Sequence, residues 1–158
     1  MTPAYARAPR GARVVGRVPR NRGRVLTMIG ALCRSGYRAL MTIEGGTTGE
    51  VFLHFVVHYL VPKLRRGDVV VMDNLGAHHA TGVREAIEGA GARVEYLPPY
   101  SPELNPIELG WSKVKSALNR IGARTVPKLV RAVRLATASV TTRDGAGWFA
   151  HCGYPQPG

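Results

Sequence analysis

The feature that most constrains the fold is an unbroken apolar run at residues 69–72, which ends at Asp73. Apolar residues that follow one another without polar alternation are typical of a short strand covered on both faces. A helical pattern at residues 78–90 and a second strand pattern at residues 92–97 come next. Strand, helix and strand together predict a βαβ crossover, and a buried parallel pair of strands requires helices packed on it.

The segments before this crossover predict a hairpin and a helix. Residues 24–33 and 37–44 have strand character and are separated by a Ser-Gly turn. A capping-box pattern at residues 47–50 then indicates the start of a helix that continues over residues 51–64. Hairpin, helix and crossover together indicate an α/β layered fold.

The last third of the chain is predicted to be helical. Asn105 suits the N-cap position, and Pro106 suits the first helical turn, where the missing N–H of proline costs nothing. A second helix is expected over residues 126–140. Apolar residues at helical spacing are expected to face the core: Ile107, Trp111, Val114, Leu118 and Ile121 in the first helix, and Leu129, Val130 and Val133 in the second.

The charge of the chain favours a polyanionic partner. The formal net charge is +12 over 158 residues, and residues 1–38 carry nine arginines without any acidic residue. Residues 39–110 hold five basic and nine acidic residues, and residues 111–143 hold eight basic residues and no acid. Basic segments on both sides of an acidic centre fit a nucleic acid held around a carboxylate-lined site. A generally basic protein is the alternative interpretation.

Membrane and secreted classes fit the sequence poorly. No stretch approaches the roughly 18 or more apolar residues of a membrane span, and the arginine-rich start lacks the apolar region of a secretory signal. Cys33 and Cys152 have no CxxC partner and no framework spacing, which indicates reduced thiols. We therefore expect a cytoplasmic, nucleoid-associated protein without a membrane partner.

Two carboxylates are candidates for a metal site. Asp73 and Glu108 are separated by 34 residues in sequence. Active sites in such sheets lie beyond the carboxyl ends of the strands, so the helix that carries Glu108 should begin close to Asp73. Two or three carboxylates can bind Mg²⁺ ions that activate water or a 3′-hydroxyl for attack on a phosphodiester. The alternative is structural, with Asp73 capping the next turn and Glu108 completing a capping box with Asn105.

Longer motifs surround both carboxylates. Asp73 and Asn74 are followed by His78, and residues 98–108 read Pro-Pro-Tyr-Ser-Pro-Glu-Leu-Asn-Pro-Ile-Glu. Together with the closing Gly-Trp-Phe-Ala-His-Cys-Gly-Tyr at residues 147–154, these motifs resemble the catalytic core of mariner-type DDE transposases. The bacterial insertion-sequence branch is the most similar, and the resemblance extends over nearly the whole chain.

The resemblance implies a fold, a reaction and partners. The implied fold is RNase H-like, a mixed sheet flanked by helices, in which Asp73 and Glu108 correspond to the family's second catalytic Asp and its closing Glu. The implied reaction is metal-dependent DNA strand cleavage and transfer in transposition. Mg²⁺ or Mn²⁺ would be the cofactor, and the transposon ends and the target DNA would be the partners.

The family's first catalytic Asp has no counterpart in this sequence. In the family it lies on an opening strand ahead of the hairpin, whereas no Asp or Glu precedes Glu44 here. The chain is therefore expected to be a C-terminal part of a transposase, truncated at the opening strand and without the N-terminal DNA-binding domain.

We expect the chain to be inactive alone, with a two-ion site only if the missing Asp is supplied. It would form a homodimer or be complemented by the product of an upstream reading frame. The alternative is an inactive remnant that binds DNA non-specifically or associates with a full-length transposase.

Further residues are candidates for contacts with DNA. Asn74 and His78 adjoin the expected metal site, although capping a turn or starting a helix would also explain them. Lys115 lies two turns after Glu108 on the same polar stripe and would contact a phosphate, unless it is simply solvated.

The chain is expected to divide into a lead-in, a core and a tail. Residues 24–154 would form the catalytic core, and residues 155–158 a short tail. Residues 1–23 would form a basic, extended lead-in that follows a DNA backbone, with a solvated segment as the alternative. The arginines expected to contact DNA there are Arg17, Arg20 and Arg22.

Overall fold

The computed structural model describes residues 9–10, 25–123 and 125–155. The lead-in predicted for residues 1–23 therefore falls almost entirely outside the described residues, as do Arg17, Arg20 and Arg22. Only the first residue of the predicted tail is described.

The first two strands form the predicted hairpin. Strand β1 (Leu26–Cys33) pairs antiparallel with β2 (Gly36–Glu44), in a register that joins Ile29 to Met41. Gly36 begins β2 with a φ of +115°, a conformation that glycine adopts readily because it has no Cβ. A register shift after Ala31 adds a bulge to the hairpin. Both strands are thus confirmed to within two residues.

A long helical segment follows the hairpin. It begins as α1 (Gly49–Phe55), widens into a π-helical turn (Val56–Leu60) and tightens into a 3₁₀ turn (Val61–Lys63). The hydroxyl of Thr48, in extended conformation, accepts a hydrogen bond from the N–H of Val51 at 3.3 Å. The predicted capping box at residues 47–50 was therefore wrong by one residue, since the N-cap is Thr48.

The predicted βαβ crossover is present. Strand β3 (Val69–Met72) pairs parallel with β4 (Arg93–Tyr96), and α2 (Val83–Gly89) connects them. The connecting helix begins five residues later than predicted. Gly82 precedes it with a φ of +91°, which interrupts the helical backbone after an isolated 3₁₀ turn (Gly76–His79).

Strand β3 is less covered than its apolar run predicted. Met72 is buried, but Val70 and Val71 are half-buried and Val69 is 44% exposed. The reason lies in the sheet topology. Within the described residues the hairpin is one two-stranded sheet and the β3–β4 pair is another, so β3 has a strand on one side only. The α/β class is confirmed, with two short sheets rather than one continuous mixed sheet.

Three helices complete the chain: α3 (Pro106–Ile121), α4 (Val126–Ala138) and α5 (Thr142–His151). The first two confirm the predicted helices, although Ile121 at the end of α3 is 48% exposed rather than buried. Helix α5 was not predicted. Its N-terminus is a capping box between Thr141 and Asp144. None of the helices in the described part of the chain has the length and hydropathy needed to cross a membrane.

The hairpin separates two apolar cores. Ile29 and Met41 face the first core, which includes Phe55 of α1 and Ile87 of α2. Burial of each such large side chain stabilises the fold by about 1.5–3 kcal/mol. The second core lies on the other face of the hairpin, where residues of β1 and β2 contact α3 and α4: Met28, Leu32, Tyr37, Leu40, Trp111, Val114, Leu118 and Val133.

Candidate functional site

Asp73 lies directly after β3, at the carboxyl end of the strand. Its side chain is 50% exposed, and its Oδ1 lies 2.7 Å from Nδ1 of His78. The same oxygen accepts a hydrogen bond from the N–H of Leu75 at 3.1 Å, which closes a local turn. The N–H of Leu75 and the imidazole of His78 therefore both contact Oδ1. Asp73 is thus oriented by its neighbours and remains open to solvent.

His78 connects this carboxylate to the first core. Its ring packs against Phe52 of α1, with ring centroids 4.3 Å apart. The hydroxyl of Tyr96 donates a hydrogen bond to the carbonyl of His78 at 3.1 Å, which attaches the segment to β4. The imidazole is therefore held between α1 and Asp73. His78 thus adjoins Asp73, and its predicted contact with DNA stays a prediction.

Asn74 has a different set of contacts. Its Nδ2 donates to the carbonyl of Leu97, and its Oδ1 lies 3.3 Å from Nε2 of His79. The side chain therefore connects the end of β3 to the end of β4. These contacts explain Asn74 without DNA, and its predicted contact with DNA stays a prediction.

Glu108 lies in the first turn of α3 and is exposed. Its N–H donates to the carbonyl of Asn105 at 3.1 Å, whereas the Asn105 side chain makes no capping hydrogen bond. The capping box considered for this pair is absent. The carboxylate of Glu108 lies at the positive end of the helix dipole and makes no hydrogen bond or ion pair with the residues that the structure describes.

Both carboxylates line one cavity, whose volume is about 670 Å³. Asp73, His78, Asn105 and Glu108 all line it. We call it the inter-sheet cavity, because residues 28–35 of β1 and its turn form one wall and residues 68–73 of β3 form another. That α3 begins close to the end of β3 stays a prediction.

The two carboxylates offer hard oxygen ligands of the type that Mg²⁺ and Mn²⁺ accept. They do not form a complete site. Within the described part of the chain, no group of three or more histidine, cysteine, aspartate or glutamate residues could hold a metal ion.

Comparison with known families identifies the family to which the chain belongs. The family model for the DDE superfamily endonucleases matches residues 1–129. The chain belongs to this family. No curated protein sequence matches the chain.

Solved structures of the mariner transposase Mos1 share the fold. The Mos1 strand transfer complex is similar with a TM-score of 0.76 at 15% identity, over 96% of this chain and 47% of that chain. The Mos1 mariner paired end complex with Mn is similar with a TM-score of 0.53 at 17% identity, over 97% of this chain and 51% of that one. This endonuclease-family chain thus has the fold of a Mos1 catalytic domain, which is RNase H-like, and spans about half the length of those transposases.

Two residues near the site escaped the sequence analysis. Tyr37 in β2 is packed against Trp111, and its hydroxyl is buried without a hydrogen-bond partner among the described residues. Burial raises the pKa of this phenol well above its usual value, and the nearby negative charge of Glu108 raises it further. Arg34, in the hairpin turn, lines the inter-sheet cavity and has one buried guanidinium nitrogen, Nη1, without a partner in the described part. No local pattern identifies either residue, because their importance arises from the packing of α3 and α5 on the turn.

Basic residues occur on the helices beyond the site. Lys115 is exposed on α3, as predicted for a residue on the polar stripe. Lys128, Arg131 and Arg134 are exposed along α4 and make no ion pair with the described residues. They form a cationic face, which we call the α4 basic face.

Proposed function

We propose that this chain is a catalytic-domain part of a DDE transposase, whose reaction is metal-dependent DNA strand cleavage and transfer. The observation that carries the proposal is the convergence of Asp73 and Glu108 on one cavity. Membership of the DDE endonuclease family and the Mos1-like fold support it. The insertion-sequence branch is proposed from the sequence motifs alone.

Asp73 and Glu108 would hold Mg²⁺ or Mn²⁺. When bound, the metal would increase the acidity of an attacking water or 3′-hydroxyl and stabilise charge on the scissile phosphodiester. The chain's own contribution is orientation. A proton on Nδ1 of His78 would be donated to Oδ1 of Asp73, which leaves Oδ2 of that carboxylate for a ligand.

A third carboxylate is needed for a two-ion site. Residues 1–43 of the sequence contain no Asp or Glu. We propose that the isolated chain is therefore inactive as a nuclease and belongs to a larger catalytic unit. The missing ligand would come from a second polypeptide segment, and homodimerisation is a further proposal.

Metal binding and DNA cleavage should be measured separately on the purified chain. Mn²⁺ binding followed by electron paramagnetic resonance is expected to be weak in the wild type. It should be lost in the double variant Asp73→Asn, Glu108→Gln, because both ligands are then neutral. The matched control is Glu88→Gln, which removes a carboxylate from α2 and should leave Mn²⁺ binding unchanged. Equal binding by the double variant and the wild type would contradict the assignment of the site.

Nicking of supercoiled plasmid with Mg²⁺ or Mn²⁺ tests the proposed inactivity. No nicking above that of the double variant is expected. Robust metal-dependent nicking by the wild type that disappears in the double variant would show that the chain assembles a complete site unaided.

DNA is the proposed partner. The Mos1 structures were solved as strand transfer and paired end complexes, one of them with a left transposon end. The net charge of +12 and the α4 basic face favour DNA for this chain. A cytoplasmic, nucleoid-associated location follows as a proposal.

A second candidate function is non-catalytic. An inactive remnant that binds DNA non-specifically, or associates with a full-length transposase, would use the same basic surfaces. The α4 basic face is exposed and makes no ion pair with the described residues, which favours this candidate, because binding of DNA to such a face needs no metal. Sequencing the DNA upstream of the first codon distinguishes the catalytic from the non-catalytic candidate function. A frame that encodes a strand ending in Asp supports a joined enzyme, whereas a disrupted upstream region supports the remnant.

A further inference from the structure

Two histidines lie on the exposed side of the helical segment that follows the hairpin. His54 belongs to the last turn of α1, and His58 belongs to the π-helical turn that continues it. Both are exposed, whereas Phe55 and Val56 between them are buried in the first core. Residues four apart share one face of a helix. The two imidazoles therefore extend into solvent from a backbone that is fixed by packing on its other side.

The two rings are close together, and their nitrogens are available to a ligand. The ring centroids are 4.4 Å apart, with an angle of 42° between the planes. Within the described residues, the histidine side chains that make hydrogen bonds or ion pairs are those of His78 and His79. The ring nitrogens of His54 and His58 have no such partner there. At this separation one nitrogen of each ring can reach a shared metal ion, with bonds of about 2.0–2.1 Å.

The π-helical turn improves the alignment of the two side chains. In a regular α-helix, residues four apart are offset by about 40° around the helix axis. The wider turn begins at Val56, between the two histidines. Because a π-helical turn contains more residues, it reduces this offset and places the second imidazole more directly above the first. Such turns are rare in proteins and are frequent at functional sites.

The ligand chemistry of this pair differs from that of the carboxylates. Imidazole nitrogens suit Cu²⁺, Ni²⁺ and Zn²⁺, whereas carboxylate oxygens suit Mg²⁺ and Mn²⁺. The described residues that line the inter-sheet cavity include Asp73 and Glu108 but neither His54 nor His58. The pair is therefore separate from the candidate catalytic site in both its position and its preferred metals.

We propose that His54 and His58 form a chelate site for a divalent transition metal, which binds Cu²⁺ more tightly than Ni²⁺ or Zn²⁺. One nitrogen of each imidazole binds the ion, and water molecules occupy the remaining positions. The described residues contain no group of three or more histidine, cysteine, aspartate or glutamate side chains that could hold a metal ion. The site is therefore open to solvent, unlike the closed four-ligand sites of structural zinc.

Copper binding to the full chain, purified without a polyhistidine tag, tests the proposal. Isothermal titration calorimetry should give one strong Cu²⁺ site per chain, with weaker binding of Ni²⁺ and Zn²⁺. Pulsed electron paramagnetic resonance at one Cu²⁺ per chain should show two coordinated imidazoles. A single coordinated imidazole, or the absence of a strong Cu²⁺ site, would overturn the proposal.

Alanine variants distinguish a chelate from two independent histidines. His54→Ala and His58→Ala should each lower the affinity for Cu²⁺ by about a hundredfold, because the second bond of a chelate forms within one molecule. The double variant should bind little more weakly than either single variant. Alanine favours a helix and both positions are exposed, so the fold should survive, as circular dichroism can verify. Single variants that keep the affinity of the wild type would overturn the proposal.

His151→Ala is the matched control for the loss of one imidazole. This histidine is exposed at the end of α5, and its removal should leave the affinity for Cu²⁺ unchanged. Cys33 and Cys152 are present in every variant, so any binding of metal by their thiols is the same throughout. An equal loss of affinity in His151→Ala would overturn the proposal, because the strong site would then not depend on the pair.

The two metal sites can be tested independently of each other. The variant Asp73→Asn, Glu108→Gln should keep the Cu²⁺ site with its two imidazoles, and the variant His54→Ala, His58→Ala should keep the weak Mn²⁺ binding of the wild type. Loss of strong Cu²⁺ binding in the carboxylate variant would overturn the proposal, because it would place the ion at Asp73 and His78. Failure of Mn²⁺ to bind the wild type would count against the proposed function alone.

Discussion

Gly145 lies where α5 contacts the turn of the hairpin, and it shows how closely the two pack. A Cβ at this position would lie 2.4 Å from the carbonyl oxygen of Arg34 and 2.9 Å from that of Cys33. Both are backbone atoms that cannot rotate away. Gly145→Ala should therefore lower the free energy of unfolding by about 1–3 kcal/mol, measured by urea denaturation.

Gly147 in the same helix is the control for that change. A Cβ at Gly147 would meet no atom within 4 Å. Gly147→Ala should leave stability unchanged or raise it by up to about 1 kcal/mol, because alanine loses less backbone entropy in a helix. Equal destabilisation by both substitutions would show that α5 does not pack closely on the turn.

Some residues of the site could be predicted from the sequence, and others could not. Asp73 and Glu108 stand inside long motifs, and the structure brings both to one cavity. Arg34 stands in the hairpin turn and Tyr37 near the start of β2. Their packing depends on helices that begin about 70 or more residues later in the chain, which no local pattern encodes.

At the scale of an element, the start of α5 depends on one carboxylate. Asp144 accepts from the N–H of Thr141 at 2.8 Å and lies 2.6 Å from Nζ of Lys113 in α3. The hydrogen bond from Lys113, followed by those from Thr141, holds the pKa of Asp144 well below its ordinary value of 3.8. The carboxylate thus connects α5 to α3 while capping its own helix.

Asp144→Asn should lower the melting temperature at neutral pH, and the deficit should shrink on acidification. A carboxyl whose folded pKa is lowered stabilises the fold above its unfolded pKa, and this stabilisation is lost as the pH falls through the folded pKa. The deficit should therefore be constant at neutral pH and decrease below about pH 4. Thermal melts from pH 7 to pH 2.5 measure it.

The ion pair between Arg84 and Glu88 provides the control for Asp144→Asn. Both side chains are 47% exposed and belong to one helix, so Glu88→Gln should change the melting temperature little at any pH. A pH-independent deficit in Asp144→Asn would contradict the role assigned to its charge.

Some elements could be predicted and others could not, for identifiable reasons. The hairpin and α3 follow from a glycine turn and from an Asn-Pro start, which act locally. Helix α5 has two internal glycines, which weaken a helical pattern, and it is stabilised by its cap and by Lys113 of α3. The exposure of β3 was not predictable either, because it depends on which strands lie beside it.

For the whole molecule, charge rather than shape should determine the strength of DNA binding. Neutralising the α4 basic face with Lys128→Gln, Arg131→Gln and Arg134→Gln should weaken binding to any duplex. If all three residues contact phosphates, the slope of log Kobs against log salt should become shallower by about 2–3. Anisotropy titrations at several salt concentrations measure the slope.

Three cations elsewhere supply a control with the same change in net charge. Lys63, Arg65 and Arg66 are exposed beside the start of β3. Their replacement by glutamine should alter the slope less than the α4 variant does. Equal slopes for the two triple variants would show that the chain attracts DNA through its net charge without a preferred face.

The placement of the hairpin between two cores has a consequence for how the protein opens. Residues of β1 and β2 contribute alternately to one core or the other, whereas α2 reaches only the first core and α4 only the second. The helices of one core can therefore detach from the hairpin while its apolar contacts with the other core remain. Partial unfolding should begin at the outer helices, and the last amides to lose protection in denaturant should be those paired between Ile29 and Met41.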